Sequence, residues 1–130
     1  MTQERFTKIL VSQDSTWKLR SLKGWTGLTP NILSRIALAL SLREPGRPDP
    51  DTYPTDGIEF NAYTLFGPYE VLTTALLKER ILQDGLEPEG MLQEQLRAHI
   101  NRGVALLYPR VRSLADLADL LTADIVASQG

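Results

Sequence analysis

Residues 29–42 read TPNILSRIALALSL, and this stretch decides the fold class. Thr29 is a capping residue and Pro30 follows it at the first helical position, where a missing N–H costs nothing. Ile32, Leu33, Ile36 and Leu40, with the alanines between them, make this helix apolar over most of its circumference. Such a helix belongs at the centre of a protein, and in so small a chain it is expected to pack against a second copy. Arg43 and Glu44-Pro45-Gly46 end it.

On the N-terminal side, Gly24 and Gly27 bracket a turn, and residues 12–23 read as a helix with Ser12 or Asp14 as its N-cap. Ser15, Leu19, Leu22 and either Trp25 or Thr26 form its inward stripe, and Lys18, Arg20 and Lys23 fall mostly off it. Residues 6–11, FTKILV, read as a short strand. It is apolar on both faces, as expected of a strand that is buried or paired with another subunit.

On the C-terminal side, residues 44–57 (EPGRPDPDTYPTDG) hold four prolines and two glycines, and read as a linker or an ordered surface excursion. Residues 58–66 are ambiguous, a short extended piece leading to a turn at Gly67-Pro68. Three helices follow. The first, 69–84, carries Val71, Leu72, Ala75, Leu76, Glu79 and Leu82 and stops at Gly85. The second, 89–107, carries Leu92, Leu96, His99, Ile100 and Leu107. The third, 113–126, opens with a Ser-x-x-Asp cap and carries Leu114, Leu117, Leu120, Leu121 and Ile125. The expected fold is mainly α, a short N-terminal strand followed by helices, ribbon–helix–helix-like and oligomeric. One domain spans 1–130, comprising a basic strand–helix–helix part (1–43), the Pro-rich linker (44–57) and an acidic helical part (58–130).

A chain of 130 residues with 42% hydrophobic and 23% charged residues is of ordinary globular composition. It has no cysteine, which excludes disulfides, cysteine-ligated zinc and a thiol nucleophile within this chain. Residues 1–10 hold no apolar stretch long enough for a secretory signal. The longest apolar run, 36–42, is interrupted by Ser41 and is far too short for a bilayer, so a soluble, cytoplasmic protein is expected. The net charge of −2 is unevenly divided. Residues 1–47 carry eight basic and three acidic side chains, a net +5, whereas residues 48–130 carry six and thirteen, a net −7. The basic part either faces an anionic partner or attracts the acidic part of another copy.

Gly24 and Gly27 are turn formers, because no Gly-Lys-Ser/Thr follows them and no dinucleotide fingerprint opens a strand–helix unit. His99 is the single histidine, so a histidine-rich metal cluster is impossible and a structural or interfacial role is expected. Glu87, Glu89 and Glu94 lack EF-hand spacing and read as a solvated acidic surface. No catalytic residue, cofactor or metal is expected. One constellation has a coherent physical use: Lys18, Arg20 and Lys23 on the first helix, then Thr29, Asn31 and Arg35 at the start of the second. Basic side chains neutralise phosphates and release counterions. Backbone amides at a helix N-terminus can receive a phosphate oxygen. The strand–helix–helix order resembles ribbon–helix–helix proteins, whose paired strands enter a groove. Phe6, Ile9, Leu10 and Val11 offer no base-edge donors, however, so backbone or shape recognition is expected rather than base reading.

Residues 20–42, RSLKGWTGLTPNILSRIALALSL, closely resemble the signature of the DndE family, small subunits of bacterial DNA phosphorothioation systems. The resemblance continues at Asn61-Ala62-Tyr63-Thr64-Leu65-Phe66-Gly67 and at His99-Ile100-Asn101-Arg102-Gly103, and covers nearly the whole chain. It implies a helical, ribbon–helix–helix-like homo-oligomer, reported as a tetramer, that binds duplex DNA independently of sequence and prefers nicked DNA. It also implies association with the partner modification enzymes, which carry the ATPase and sulfur-transfer chemistry. The function so indicated is a non-catalytic DNA-binding accessory subunit of the bacterial modification and defence system. A structural adaptor that assembles the enzymes with little DNA contact of its own is the alternative, favoured by the overall acidic balance. A sequence-specific repressor is disfavoured by the apolar strand.

Overall fold

The computed structural model describes the backbone over residues 6–129 and side chains over residues 6–123, so Arg5 and the side chain of Ile125 lie outside the described residues. Strand β1 (Lys8–Leu10) leads into helix α1 (Gln13–Thr26) and helix α2 (Pro30–Arg43). After the Pro-rich segment come strand β2 (Glu59–Asn61), the short helix α3 (Ala62–Phe66) and helix α4 (Glu70–Gln83). Helices α5 (Leu92–Leu107) and α6 (Leu114–Gln129) complete the order. Single 3₁₀ turns stand at Pro50–Thr52, Gly67–Tyr69 and Tyr108–Arg110.

The strand finds its partner inside the chain. β1 and β2 are antiparallel, with Lys8 opposite Asn61, Ile9 opposite Phe60 and Leu10 opposite Glu59. Ile9 and Phe60 are buried as a cross-strand pair, and Phe6 and Val11 are buried beside them. The side-chain amide of Gln93 donates to the Lys8 carbonyl, occupying part of the outer edge of β1. The ambiguous 58–66 stretch thus resolves into β2 and then α3, whose start is capped by the Asn61 side chain accepting from the amides of Tyr63 (2.9 Å) and Thr64 (3.4 Å).

α2 is central, and its main partner within the chain is α5. Leu33, Ala37 and Leu38 of α2 and Leu96, Ile100, Val104 and Leu107 of α5 are all buried in one core. The approach is close because α5 carries Gly103: a Cβ there would lie 1.8 Å from the Ala37 carbonyl oxygen. The reading of 29–42 could not foresee this covering, since α5 is 50 residues further on. Ile32 of α2 stays partly open to solvent, and a further exposed apolar surface lies on α4. Leu77 and Ile81 of α4 are buried, yet Val71, Leu72, Leu76 and Leu82, read from sequence as its stripe, are all exposed. α4 has two apolar stripes, and the core takes the other one.

Three arginines strap the Pro-rich segment to the core. Arg80 of α4, only 8% exposed, donates to the carbonyls of Leu42 and Gly46 and pairs with Asp84 at 3.0 Å. Arg102 of α5 donates to the Ser41 carbonyl and to that of Gly46, each at 2.8 Å. Arg97 donates to the carbonyls of Tyr53 and Pro50. Arg80 and Arg102 sit at the C-terminal end of α2, where the carbonyl dipoles favour positive charge. Among the described residues no helix is long and apolar enough to cross a membrane.

Candidate nucleic-acid interface

The basic surface is carried by α1, whose start is fixed by the core. The Ser12 side chain accepts from the Ser15 amide at 3.1 Å, which makes Ser12 the N-cap. Asn101 of α5 accepts from the Ser12 amide at 3.1 Å and from the Ser15 hydroxyl at 2.6 Å. Thr16 donates to the Ser12 carbonyl at 2.9 Å and accepts from the Ile58 amide at 2.8 Å. Gly57 passes so close that a Cβ there would lie 2.2 Å from the Thr16 hydroxyl. At the other end Gly27 adopts φ 79° and its amide closes the helix on the Lys23 carbonyl at 2.8 Å. With Ser15, Leu19, Leu22 and Thr26 buried, the rotation of α1 is set, and Trp25 is turned outward.

That rotation separates the sequence-predicted contacts. Arg20 and Lys23 are exposed, about 60° apart around the helix, and neither forms an ion pair among the described residues. Lys18 is only partly exposed, pairs with Asp14 at 2.7 Å and lies over the Tyr108 ring at 5.7 Å. Thr29 caps α2 by accepting from the Ile32 amide at 3.3 Å. Pro30 has no N–H, so Asn31 supplies the free amide of this first turn. Arg35 turns the other way: its guanidinium donates to the carbonyls of Leu65 and Thr64 and lies 5.9 Å from the Tyr69 ring, tying α2 to the end of α3.

Two groups escaped the sequence reading. The first is an aromatic row beside Lys18. Trp17 and Trp25 flank Tyr108 with ring centroids 5.8 and 5.6 Å away, and Arg112 lies 4.4 Å from the Trp25 ring. Tyr108 and Arg112 arrive from the junction between α5 and α6, so only the tertiary fold assembles the group. The available signal was the spacing of the two tryptophans, eight residues and about 80° apart on one helix.

The second is a buried polar cluster around Ser41 and His99, two residues without exposed surface. Arg102 Nε donates to Ser41 Oγ at 2.9 Å, which leaves the Ser41 proton for His99 Nδ1 at 2.8 Å. Burial holds the His99 pKa down at about 4, helped by the Arg102 and Arg80 charges and opposed by Asp84. His99 is therefore neutral at pH 7, and the pair is closed to any substrate. Among the described residues no group of three or more His, Asp or Glu side chains is placed to hold a metal ion.

Fold and surface together define a small helical protein whose first helix presents cations and aromatic rings outward. The chain belongs to the DndE family: the family described as DNA sulphur modification protein DndE matches residues 8–114. Among solved structures, DndE from Escherichia coli B7A, involved in DNA phosphorothioation modification, is similar with 31% identity and a TM-score of 0.65. That match covers 80% of this chain and 98% of the other. A DndE double glycine-to-lysine mutant, also involved in DNA phosphorothioation, is similar with 27% identity and a TM-score of 0.64, covering 80% and 99% of the two chains. No curated protein matches the chain.

Proposed function

We propose that this chain is a non-catalytic, cytoplasmic DNA-binding subunit of a DNA phosphorothioation complex, acting beside ATPase and sulfur-transfer enzymes. The observation that carries the reading is the pair of exposed cations Arg20 and Lys23 on α1 of a DndE-family chain, without an ion pair among the described residues. They meet phosphates of duplex or nicked DNA without reading bases, and Lys18, Thr29 and Asn31 complete the proposed contact set; Arg35, expected there from the sequence, is turned toward α3 and is left out of it. The single Asn31 amide donates to one phosphate oxygen at the N-terminus of α2. Arg20 and Lys23 dominate, because Lys18 is shared with Asp14.

The protein acts as a homo-oligomer, tetrameric in the family pattern, and the exposed Val71, Leu72, Leu76 and Leu82 of α4 supply its self-contact. The same face favours a second reading, an adaptor that assembles the modification enzymes and touches DNA little. Complementation distinguishes the two. In a phosphorothioating cell lacking its own copy, the wild-type gene restores sulfur in DNA, and a charge-reversed Arg20→Glu/Lys23→Glu variant that still co-purifies with the enzymes does not. Full restoration by that variant favours the adaptor.

A further inference from the structure

We infer that the row Trp17–Tyr108–Trp25 is a stacking site for an unpaired nucleobase of DNA, with the Arg112 guanidinium placed for the adjoining phosphate. The inference rests on the DNA-binding reading and narrows it: the surface takes a base out of the stack as well as tracking a backbone.

Both tryptophans of the chain are at the surface, Trp17 at 57% and Trp25 at 38% exposure, although large aromatic rings are the side chains that gain most from burial. Tyr108 stands between them with its ring tilted 47° from Trp17 and 38° from Trp25, so no ring lies flat on another; Arg112 covers Trp25 and Tyr108, and Trp17 is the ring left most open. The row is held firmly. Tyr108 sits in the 3₁₀ turn after α5, and Arg112 Nη1 donates to the Tyr108 carbonyl at 2.7 Å and to that of Val111 at 3.1 Å. The α6 cap fixes Arg112 in turn, since Asp116 accepts from the Arg112 amide at 2.9 Å and its own amide donates to Ser113 Oγ at 3.1 Å.

Charge selects the occupant. The Arg112 guanidinium lies 4.4 Å from the Trp25 ring and 5.1 Å from Tyr108, and has no carboxylate partner among the described residues. An apolar protein surface seated here would desolvate that cation without giving it an acceptor. A second copy meeting the same face across a two-fold axis would set Arg112 against its own kind. A nucleotide supplies both missing parts, a π-face for the rings and an anion for the guanidinium. The apolar face of α4 is separate, for α4 packs on α3 and α5, whereas the row is built by α1 and the α5–α6 junction.

The test compares two fluorescent duplexes of one sequence, one fully paired and one with a single bulged thymine, read by anisotropy and by tryptophan emission. The wild type is expected to bind the bulged duplex at least about fivefold more tightly, with quenched emission, because base–aromatic stacking is worth that much per base. Trp17→Ala should bring the ratio of affinities to about one, and Trp17→Phe should keep most of the preference. Equal binding of both duplexes without quenching, or a preference that survives Trp17→Ala, overturns the inference and leaves the backbone-binding reading standing. So does a Trp17→Ala protein whose oligomeric size changes and whose preference does not. Binding of neither duplex overturns both readings.

Discussion

Replacing Gly103 by alanine should separate the two helices at the centre of the protein. A Cβ built on Gly103 lies 1.8 Å from the Ala37 carbonyl oxygen and 2.3 Å from its carbon. A relaxed carbon–oxygen contact is about 3.3 Å, so α2 and α5 must move apart by roughly 1.5 Å. The obstructing atoms are backbone and cannot rotate away. Overpacking of this kind costs about 1–3 kcal/mol, and a rigid backbone clash belongs at the upper end. Alanine returns about 1 kcal/mol of helix propensity, leaving a net loss of about 2 kcal/mol. For a chain of 130 residues that is a fall in Tm of about 7 °C. Gly24→Ala is the internal control. Gly24 lies in α1 with nothing within 4 Å of an added Cβ, so the same substitution should raise Tm by about 2–4 °C. Thermal unfolding followed by circular dichroism measures both. If Gly103→Ala is as stable as the wild type, or if the two variants shift Tm in the same direction, the close approach of α2 and α5 is wrong.

His99 has a folded-state pKa of about 4 against an ordinary 6.5, so as pH falls the unfolded chain takes up its proton first. The stability tied to neutral His99 is therefore complete above about pH 6.5 and is lost toward pH 4, a change of about 3 kcal/mol, and urea unfolding of His99→Gln should lack that component. Arg80→Met removes the donor to the Leu42 and Gly46 carbonyls and strands Asp84, so it should destabilise by about 3 kcal/mol or more and speed proteolytic cutting within residues 44–57. Val71 is 83% exposed, so Val71→Asp with Leu76→Asp should leave the fold intact while light scattering shows a shift toward the 14.5 kDa monomer. A wild type already monomeric at micromolar concentration would contradict that assignment.

The helix starts were legible because caps are local: Ser12, Thr29-Pro30 and Ser113 with Asp116 act within four residues. The inward stripe of α1 and that of α5 were legible from helical spacing. What escaped is what depends on distant chain. A three-residue strand such as β2 carries little periodicity, and its pairing with β1 joins Lys8 to Asn61. The five-residue α3 is too short to show a helical period. Spacing on α4 marked an apolar stripe but not whether it faced in or out, because α4 has two. Among the candidate contacts, the sequence identified the cations but not which of them the fold occupies. Asp14 shares Lys18, the carbonyls of α3 take Arg35, and the ring of Tyr108, ninety residues from Lys18, completes a surface that no single segment contains.

The central claim is that α1 meets DNA through phosphates. Anisotropy titration of a fully paired duplex against salt tests it, for the wild type and for Arg20→Ala/Lys23→Ala. The log–log slope should fall by about 0.9 for each phosphate contact removed, so the double variant should lose nearly two units of slope and bind all sequences more weakly. An unchanged affinity and an unchanged slope would contradict the account.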